Sequence, residues 1–534
     1  MTKLGETTLK LLKQGTVRKG LAELRVGIEK EALRVGRDGF MSLRDHPDAL
    51  GKTLTHKFIT TDFSEAQLEF ITPALHSVAE SLEFLKELQA FAARRTDAGE
   101  YLWNASMPPE IASDESIRVA EYGNSNAAQI KTLYRKGLAH RYGKRMQTIS
   151  GIHYNFSISD DLWHAFHGQC TSGGSLQDFR SAGYLGLIRN LQRHGWLVLY
   201  LFGASPAVDK SYLPAPHPTL SMLGDDTYYG EYATSLRMSD LGYTSVVQSE
   251  LDIHYNSLCD YIEGLRDALA TSVRQYEQIG VAKEGDYKQI NTHQLQLENE
   301  LYGSARPKRN TEEGERPIAA LCRRGVEYIE LRSLDINPLT PIGICEQQAH
   351  FLNAFLTHLT LAPSPCISAG EQQALNDQQR MVAWQGRVPN LVLPAYGSGG
   401  MELREAGHRL LDDMRITAEV MDDVYGGTGH TDAINAQAAK LDNPDLTPSA
   451  QILEGVKQKG SYAGFIAELS KNQSDHLKAM PLSGERLKFQ EAMVSQSRAA
   501  YEQTEARAGD HNFDRFLDSQ NTTEVLPPEC LGER

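Results

Sequence analysis

Two glutamates stand two positions apart in the otherwise apolar segment RVGIEKEALRV, residues 25–35. Side chains alternate between the two faces of a β-strand, so Glu29 and Glu31 are expected to share one face, with Val26 and Ile28 on the other. Two carboxylates on one face repel each other and require water, a basic partner or a bound cation. For a single strand of this kind, the solvated face of an antiparallel sheet is the simpler explanation.

Three further segments place acidic, histidine or arginine side chains in strand-like settings. They are Asp62 and Glu69 in TTDFSEAQLEFITP, His153 and Asn155 in SGIHYNFSIS, and Glu330 and Arg332 in GVEYIELRSLD. If these strands form one curved sheet, the groups converge on a common concave surface. Carboxylate oxygens with at most one histidine suit hard cations such as Mg²⁺ or Mn²⁺, whereas zinc prefers more nitrogen or sulfur. The segments together therefore indicate a divalent-metal site.

The familiar phosphate-binding loops are missing from the sequence. Gly51, Lys52 and Thr53 have the residue types that end such a loop, but His46 stands where its leading glycine is required. No GxGxxG follows a predicted strand, and no GxSxG nucleophile motif is present. A nucleotide substrate would therefore be held by metals and side chains.

The elements that would position these side chains are of mixed type. Up to about residue 345, short strand-like segments edged by Gly, Pro or Asn alternate with helical patterns at 75–95 and 253–280. The segment HQLQLENELYG, residues 293–303, is also a predicted strand. The stretch 390–400, NLVLPAYGSGG, is predicted as a loop.

Beyond Pro341 the hydrophobic pattern becomes helical. Helices are predicted at 343–361, 403–424, 448–472 and 483–508. We therefore predict an α+β fold with two parts. Residues 1–345 would form a catalytic core of sheet and helices, and residues 346–534 a helical part packed on it.

Composition and charge exclude several classes of protein. Of the 534 residues, 40% are apolar and 23% charged, as in soluble globular proteins, and no apolar run is long enough to cross a bilayer. The net charge of -15 argues against nucleic acid or an anionic membrane as the main partner. Six cysteines without CxxC spacing suit a reducing compartment better than a disulfide framework. We expect a cytoplasmic protein whose cysteines are mostly inert.

Several segments together carry a family resemblance. GIEKEALRV, LTHKFITTDFSEAQLEFITP, TLYRKGLAHRYGKRMQTISGIHYNFS, YLFGASPA, YATSLRMSDLGYT, QLENELYGSARPKR and GVEYIELRSLDINP occur in order between about residues 20 and 345. They resemble the proteobacterial type of glutamate-cysteine ligase, also called γ-glutamylcysteine synthetase. The helical remainder resembles that family less clearly.

The resemblance implies a fold and a reaction. The fold would be related to that of glutamine synthetase, with a curved, mostly antiparallel sheet forming a funnel for ATP and divalent metal, Mg²⁺ or Mn²⁺. The reaction would be the first step of glutathione synthesis, in which ATP phosphorylates the γ-carboxylate of glutamate and the amine of cysteine attacks the acyl phosphate. The family also implies feedback inhibition by glutathione.

The resemblance assigns roles to individual positions. The metal ligands would be Glu29, Asp62, Glu69, His153 and Glu330, with Glu31 nearby. Arg332 would meet the transferring γ-phosphoryl group, as suits a cation where charge spreads in the transition state, and Arg135 would add charge near the phosphate. The cysteine site would comprise Phe63, Tyr134, Leu138, Tyr243 and Tyr302, while Gln147, Asn155 and Arg237 would bind amino-acid head groups.

Two rival functions remain open at this stage. Another glutamine synthetase-like ligase with a different amine acceptor would keep the metal funnel but lack a pocket for the cysteine side chain. A non-catalytic protein that binds metal or nucleotide would not require the pairing of Glu330 with Arg332.

Overall fold

The chain folds as an α+β structure around one large antiparallel sheet. The structure is a computed structural model that describes residues 2–97, 99–169, 174–242, 246–312, 314–396, 399–507 and 512–521. Its strands are β1 (Arg25–Val35), β2 (Ile59–Thr61), β3 (Gln67–Ile71), β4 (Tyr101–Trp103), β5 (Ile152–Ser157), β6 (Ala207–Asp209), β7 (Ser221–Leu223), β8 (Thr227–Tyr229), β9 (Ala282–Lys283), β10 (Asp286–Tyr287), β11 (Ala305–Lys308), β12 (Tyr328–Leu334), β13 (Val392–Leu393) and β14 (Met401–Glu402).

Helices surround this sheet and make up most of the second half of the chain. They are α1 (Glu6–Leu11), α2 (Gly15–Ala22), α3 (Val78–Ala93), α4 (Asn126–Tyr142), α5 (Asp160–His167), α6 (Leu176–His194), α7 (Trp196–Phe202), α8 (Val246–Ser249), α9 (Leu258–Ala270), α10 (Arg274–Ile279), α11 (Pro317–Arg324), α12 (Glu346–Leu361), α13 (Ala369–Gln385), α14 (Leu403–Tyr425), α15 (Gly429–Asp442), α16 (Pro448–Lys459), α17 (Tyr462–Ala479), α18 (Gly484–Arg507) and α19 (Phe513–Asn521). None of the helices in the described ranges is long and apolar enough to span a membrane.

Seven strands form the main sheet in the order β11-β12-β5-β1-β3-β2, with β4 paired to the end of β1. Every neighbouring pair is antiparallel. The longest strand, β1, lies near the middle of the sheet and begins and ends where the sequence pattern predicts. The mostly antiparallel sheet expected for the fold is thereby confirmed.

One face of this sheet is an apolar core. Ile28 of β1, Phe70 of β3, Tyr154 of β5 and Ile329 of β12 are each at most 1% exposed and belong to one hydrophobic cluster. Residues of α3, α6, α7, α12 and α14 complete the cluster. Because the side chains alternate, the groups between these apolar residues point to the opposite face.

The predicted helices of the second half are present with adjusted boundaries. The pattern over 448–472 corresponds to two helices, α16 and α17, because Gly460 adopts a left-handed conformation at φ 77° and ends α16. Residues from both predicted parts share the main hydrophobic cluster. The boundary at residue 345 stays a prediction.

One expectation is wrong. Residues 293–303 contain no strand, only a short 3₁₀ turn at Glu298–Glu300, because Glu300 is buried and its carboxylate is bound by the guanidinium of Arg141 at 3.0 Å. Cysteines 259, 345 and 366 are free thiols and Cys322 is disulfide-bonded, and the expectation that most of the cysteines are inert stays a prediction.

The loop that leads into β2 depends on a buried histidine. His56 is 6% exposed, and its Nδ1 accepts the backbone N–H groups of Phe58 at 3.1 Å and Ile59 at 2.9 Å. Burial lowers the pKa of His56 from 6.5 to about 4. The imidazole must stay neutral at Nδ1 to accept these bonds.

We predict that His56→Asn makes the free energy of unfolding less dependent on pH between about pH 4 and pH 6.5. The unfolded chain binds a proton at His56 near pH 6.5 and the folded protein only near pH 4, so stability falls as the pH decreases through this window. The loss attributable to His56 reaches about 3 kcal/mol at pH 4. Denaturant unfolding at pH values from 4 to 7.5 measures it, with His164→Asn on the exposed side of α5 as the control. Parallel profiles for wild type and His56→Asn would contradict the assignment.

Candidate active site

The polar face of the main sheet forms the floor of a cavity of about 1090 Å³. Most of the residues predicted from the sequence line it. They are Glu29, Asp62, Phe63, Glu69, Tyr134, Arg135, Leu138, Gln147, His153, Arg237, Tyr302, Glu330 and Arg332. Asn155 is not among the lining residues, and Tyr243 lies outside the described residues.

Strand register brings the acidic side chains together on the floor of the cavity. Glu29 is opposite His153 of β5, and Glu31 is opposite Glu69 of β3. On the far side of β5, Glu330 of β12 is opposite Asn155. Directly opposed residues point to the same face, so residues far apart in sequence meet on one surface.

Glu29, Glu69 and His153 form the tightest group of potential metal ligands. One ligand atom from each lies within 4.8 Å of the other two. His153 Nδ1 is 3.3 Å from Glu29 Oε2 and 3.6 Å from Glu330 Oε1, and His153 Nε2 is 4.0 Å from Glu31 Oε1. Oxygen donors with one imidazole fit a hard divalent cation.

The carboxylates of this group are crowded to the point of mutual destabilisation. Burial raises the pKa of Glu31 to about 8, and Asp62 adds to the shift, while Arg237 opposes it. Burial also raises the pKa of Glu69 well above its usual range, with further contributions from Glu29 and Asp62. A divalent cation placed among these groups would remove the repulsion, so the donor set fits such an ion.

Glu330 has the opposite electrostatic environment. Burial disfavours its charged form, but Lys308, Arg332 and His153 outweigh burial and hold the pKa of Glu330 well below its usual range. Its Oε2 lies 3.2 Å from Arg332 Nη1 and 3.6 Å from Lys308 Nζ. Glu330 is therefore ionised, and the cations Lys308 and Arg332 lie beside it at the edge of the cluster.

Asn155 contacts a neighbouring carboxylate in the sheet. Its Nδ2 donates a 2.8 Å hydrogen bond to Glu29 Oε1. Gly27 lies opposite Asn155 in the neighbouring strand, and the amide Nδ2 lies 3.8 Å from the position that a Cβ of Gly27 would take. The observed contact orients Glu29, and the predicted contact with a substrate head group stays a prediction.

Helix α4 forms a second wall of the cavity. Its N-cap is Ser125, whose side chain accepts the N–H of Ala128, and its C-cap is Gly143, which has a φ of 83°. Tyr134 and Leu138 are one turn apart and face the cavity together with the buried Phe63. This wall is largely apolar.

Arg135 of α4 is held by the main chain of the segment that carries Asp62. Its guanidinium donates to the carbonyl oxygens of Thr61 and Asp62, and its Cζ lies 4.7 Å from the ring centroid of Tyr122. These contacts fix the turn that carries Asp62. A direct contact with phosphate, as the sequence suggests, stays a prediction.

The predicted set omits Lys308, which lies beside Glu330 and lines the cavity. Its signal in the sequence is the basic run RPKR, residues 306–309, most of which forms β11 and is joined to β12 by a connection that contains α11. Gln147 lines the cavity, and its Nε2 donates to the hydroxyl of Tyr302 at 3.1 Å; its predicted role at a substrate head group stays a prediction. Gln248, which accepts the N–H of Tyr302 at 2.7 Å, carries no such signal.

Comparisons with known proteins agree with one another. A family model described as glutamate-cysteine ligase matches residues 9–382. A protein named glutamate-cysteine ligase from Pseudomonas paraeruginosa is 46% identical over 498 residues, 93% of this chain and 94% of its own. One of the same name from Azotobacter vinelandii is 44% identical over 521 residues, covering 97% and 98%.

A solved structure matches almost the whole chain as well. It is the crystal structure of glutamate-cysteine ligase from Francisella tularensis in complex with AMP. The TM-score is 0.88 at 35% sequence identity, over 95% of this chain and 98% of that one.

We predict that Glu69→Gln stabilises the protein when no divalent metal is present. The raised pKa of Glu69 means that stability is lost as the pH rises above its ordinary value of 4.5, so removing the charge should add about 1 kcal/mol or more at pH 8. Addition of Mg²⁺ should then raise the melting temperature of the wild type more than that of the variant. Thermal melts with and without Mg²⁺ measure both effects.

The matched control for this measurement is Glu263→Gln, an exposed carboxylate on α9. It should leave both melting temperatures unchanged. A Mg²⁺ response in Glu69→Gln as large as in the wild type would exclude Glu69 as a ligand.

Proposed function

The chain belongs to the glutamate-cysteine ligase family and forms γ-glutamylcysteine at the expense of ATP, the first step of glutathione biosynthesis; we propose that it does so through a γ-glutamyl phosphate in the cavity described above. In the first step, an oxygen of the glutamate γ-carboxylate attacks the γ-phosphorus of ATP, and ADP leaves. In the second step, the cysteine nitrogen attacks the acyl carbon, the amine loses a proton, and phosphate leaves. A ligase with another amine acceptor is not favoured.

The observation that carries this proposal is the arrangement of charge within one cavity. Carboxylates and one imidazole lie on the sheet floor, and the cations Lys308 and Arg332 adjoin them at Glu330. Phosphoryl transfer needs this combination, because catalysis depends on positioning and on compensation of phosphate charge. The apolar wall at Phe63, Tyr134 and Leu138 provides a surface for the side chain of the amine substrate.

Mg²⁺, or Mn²⁺ in its place, would be held by Glu29, Asp62, Glu69, His153 and Glu330. When bound, such an ion neutralises phosphate oxygens and raises the electrophilicity of phosphorus. Asn155 keeps Glu29 in position for this role through the bond at Oε1. Lowering of the pKa of His153, chiefly by burial and by Arg332, keeps its imidazole neutral and able to bind metal.

The remaining polar groups would bind the amino-acid substrates. Arg237 is 3% exposed and lines the cavity, where its guanidinium suits the α-carboxylate of glutamate. Gln147 and Tyr302, joined by their hydrogen bond, would bind the polar end of cysteine. Arg135 would contribute positive charge beside Asp62.

Glutathione contains the γ-glutamylcysteine unit that this cavity forms, and we propose that it inhibits by occupying the amino-acid subsites. Inhibition should then be relieved by excess glutamate. Initial rates at several glutathione and glutamate concentrations test this, and inhibition that excess glutamate cannot relieve would contradict it.

The direct test of the function is release of ADP with glutamate and a panel of amines. Cysteine should support release far better than ammonia, glycine or methylamine, and γ-glutamylcysteine should appear in amounts equal to ADP. Equal rates with ammonia would favour another member of the broader ligase group.

We predict that Arg332→Lys mainly lowers kcat and leaves the KM for ATP nearly unchanged. Lysine keeps the charge but loses the planar fork that Arg332 uses beside Glu330, and charge on the transferring group develops only during reaction. Steady-state kinetics in ATP measure both constants. If only the KM for ATP changed, Arg332 would be a ground-state binding residue.

We predict that 2-aminobutyrate replaces cysteine with a loss of no more than about 1 to 3 kcal/mol in kcat/KM, because an apolar wall senses mostly volume. Serine should be a poorer substrate, since its hydroxyl would lose water without a partner, at a cost of about 1 to 3 kcal/mol. Competition among the three amino acids measures the differences. Equal use of serine and cysteine would place the side chain in a polar pocket.

A further inference from the structure

A carboxylate just beneath the cavity is engaged on both oxygens. Asp335 directly follows β12 and is 1% exposed. Its Oδ2 accepts the N–H of Ala204 at 2.8 Å and the hydroxyl of Ser205 at 2.7 Å, while its Oδ1 accepts the hydroxyl of Ser235 at 3.0 Å. Asp335 therefore joins the end of β12 to two loops.

The second of these loops carries Arg237. Arg237 Nη1 lies 3.7 Å from Asp335 Oδ1, and the backbone N–H of Arg237 donates to the hydroxyl of Ser205 at 3.3 Å. Asp335 thus binds the guanidinium directly and holds the backbone of the same residue through Ser205. Burial raises the pKa of Asp335, and the charge of Arg237 opposes the shift.

Gly151 provides the surface on which the guanidinium rests. A Cβ at Gly151 would lie 2.1 Å from Arg237 Nη2 and 2.7 Å from its Cζ. The N–H of Gly151 donates to Glu31 Oε2 at 2.7 Å. The guanidinium is therefore confined between Asp335 and the polar face of the sheet.

The other end of the guanidinium holds the main chain of Arg332. Arg237 Nη2 donates to the carbonyl oxygen of Arg332 at 2.7 Å. The pairing of β12 with β5 shifts register between Leu331 and Leu334, so this carbonyl lies outside the regular ladder. Arg237 therefore supplies a hydrogen bond to the main chain of Arg332 at this irregularity, and the side chain of Arg332 lines the cavity.

We propose that Asp335 is a positioning residue that acts through Arg237, coupling the subsite for the glutamate α-carboxylate to the backbone of Arg332. The inference rests on the proposed function, which places Arg237 at glutamate and Arg332 at the transferring phosphoryl group. Asp335 itself touches no substrate. Its removal weakens the orientation of both arginines while leaving their charges in the cavity.

The first test is Asp335→Asn, which keeps an oxygen to accept hydrogen bonds and removes the charge. A misplaced binding group weakens the interaction with its substrate by on the order of 10- to 100-fold. We therefore expect the KM for glutamate to rise by about that factor, while the KM for ATP stays within about twofold. Calorimetric titration of glutamate, with Mg²⁺ and a non-hydrolysable ATP analogue present, should show the same loss of affinity. The matched control is Asp209→Asn, a carboxylate that is 3% exposed and bound to the N–H of Ser211 outside the cavity.

A double-mutant cycle distinguishes positioning from general destabilisation. In an Arg237→Ala background, Asp335→Asn should cause no further loss of glutamate affinity, because its effect passes through the missing guanidinium. Gly151→Ala, which displaces the guanidinium without changing Asp335, should reproduce the loss of affinity. Melting temperatures show which variants are folded.

Three results would overturn the proposal. The first is an unchanged glutamate affinity in folded Asp335→Asn. The second is an equal loss of affinity for glutamate and for ATP in this variant. The third is a double mutant whose loss of glutamate affinity equals the product of the losses caused by Asp335→Asn and Arg237→Ala separately. Absence of wild-type turnover would instead overturn the proposed function, and the titration cycle, which requires no turnover, would still decide the role of Asp335.

Discussion

Like charge confined to one face of a sheet is the constraint on which the site depends. Glu29, Glu31 and Glu69 are brought together by antiparallel register, and burial makes their mutual repulsion costly. The surrounding groups oppose this repulsion: a backbone N–H at Glu31, an amide at Glu29, and cations at Glu330. Glu29, Glu31 and Glu330 thus each have a different partner on the acidic face.

The negative charges of these carboxylates are compensated by their neighbours to different degrees. Glu330 is held ionised by Lys308 and Arg332, whereas Glu69 is surrounded mainly by other carboxylates. This difference supports the proposal that a cation binds on one side of the site and phosphate on the other. The apolar wall of α4 faces the same cavity, so the charged and uncharged parts of a substrate can be bound in separate regions.

Alternation along single strands could be predicted from the sequence, and the structure agrees with it at β1. The pattern placed Glu29 and Glu31 opposite Val26 and Ile28, because the face of a side chain depends only on its own strand. Register between strands depends on distant segments, so the bond from Asn155 to Glu29 and the role of Asp335 behind Arg237 could not be predicted. At residues 293–303, by contrast, the alternation of polar and apolar residues predicted a strand that is absent. The alternation there reflects burial of Glu300 against Arg141 rather than pairing with another strand.

The strand order of the main sheet has a consequence for synthesis of the chain on the ribosome. β1 is translated about 300 residues before β12, although only β5 separates them in the sheet. A nascent chain therefore carries its acidic strand without Lys308 and Arg332, and burial of that face is unfavourable until both cations have emerged. Completion of the sheet is thus a late event in synthesis, because β12 can pair with β5 only after almost two thirds of the chain has been translated.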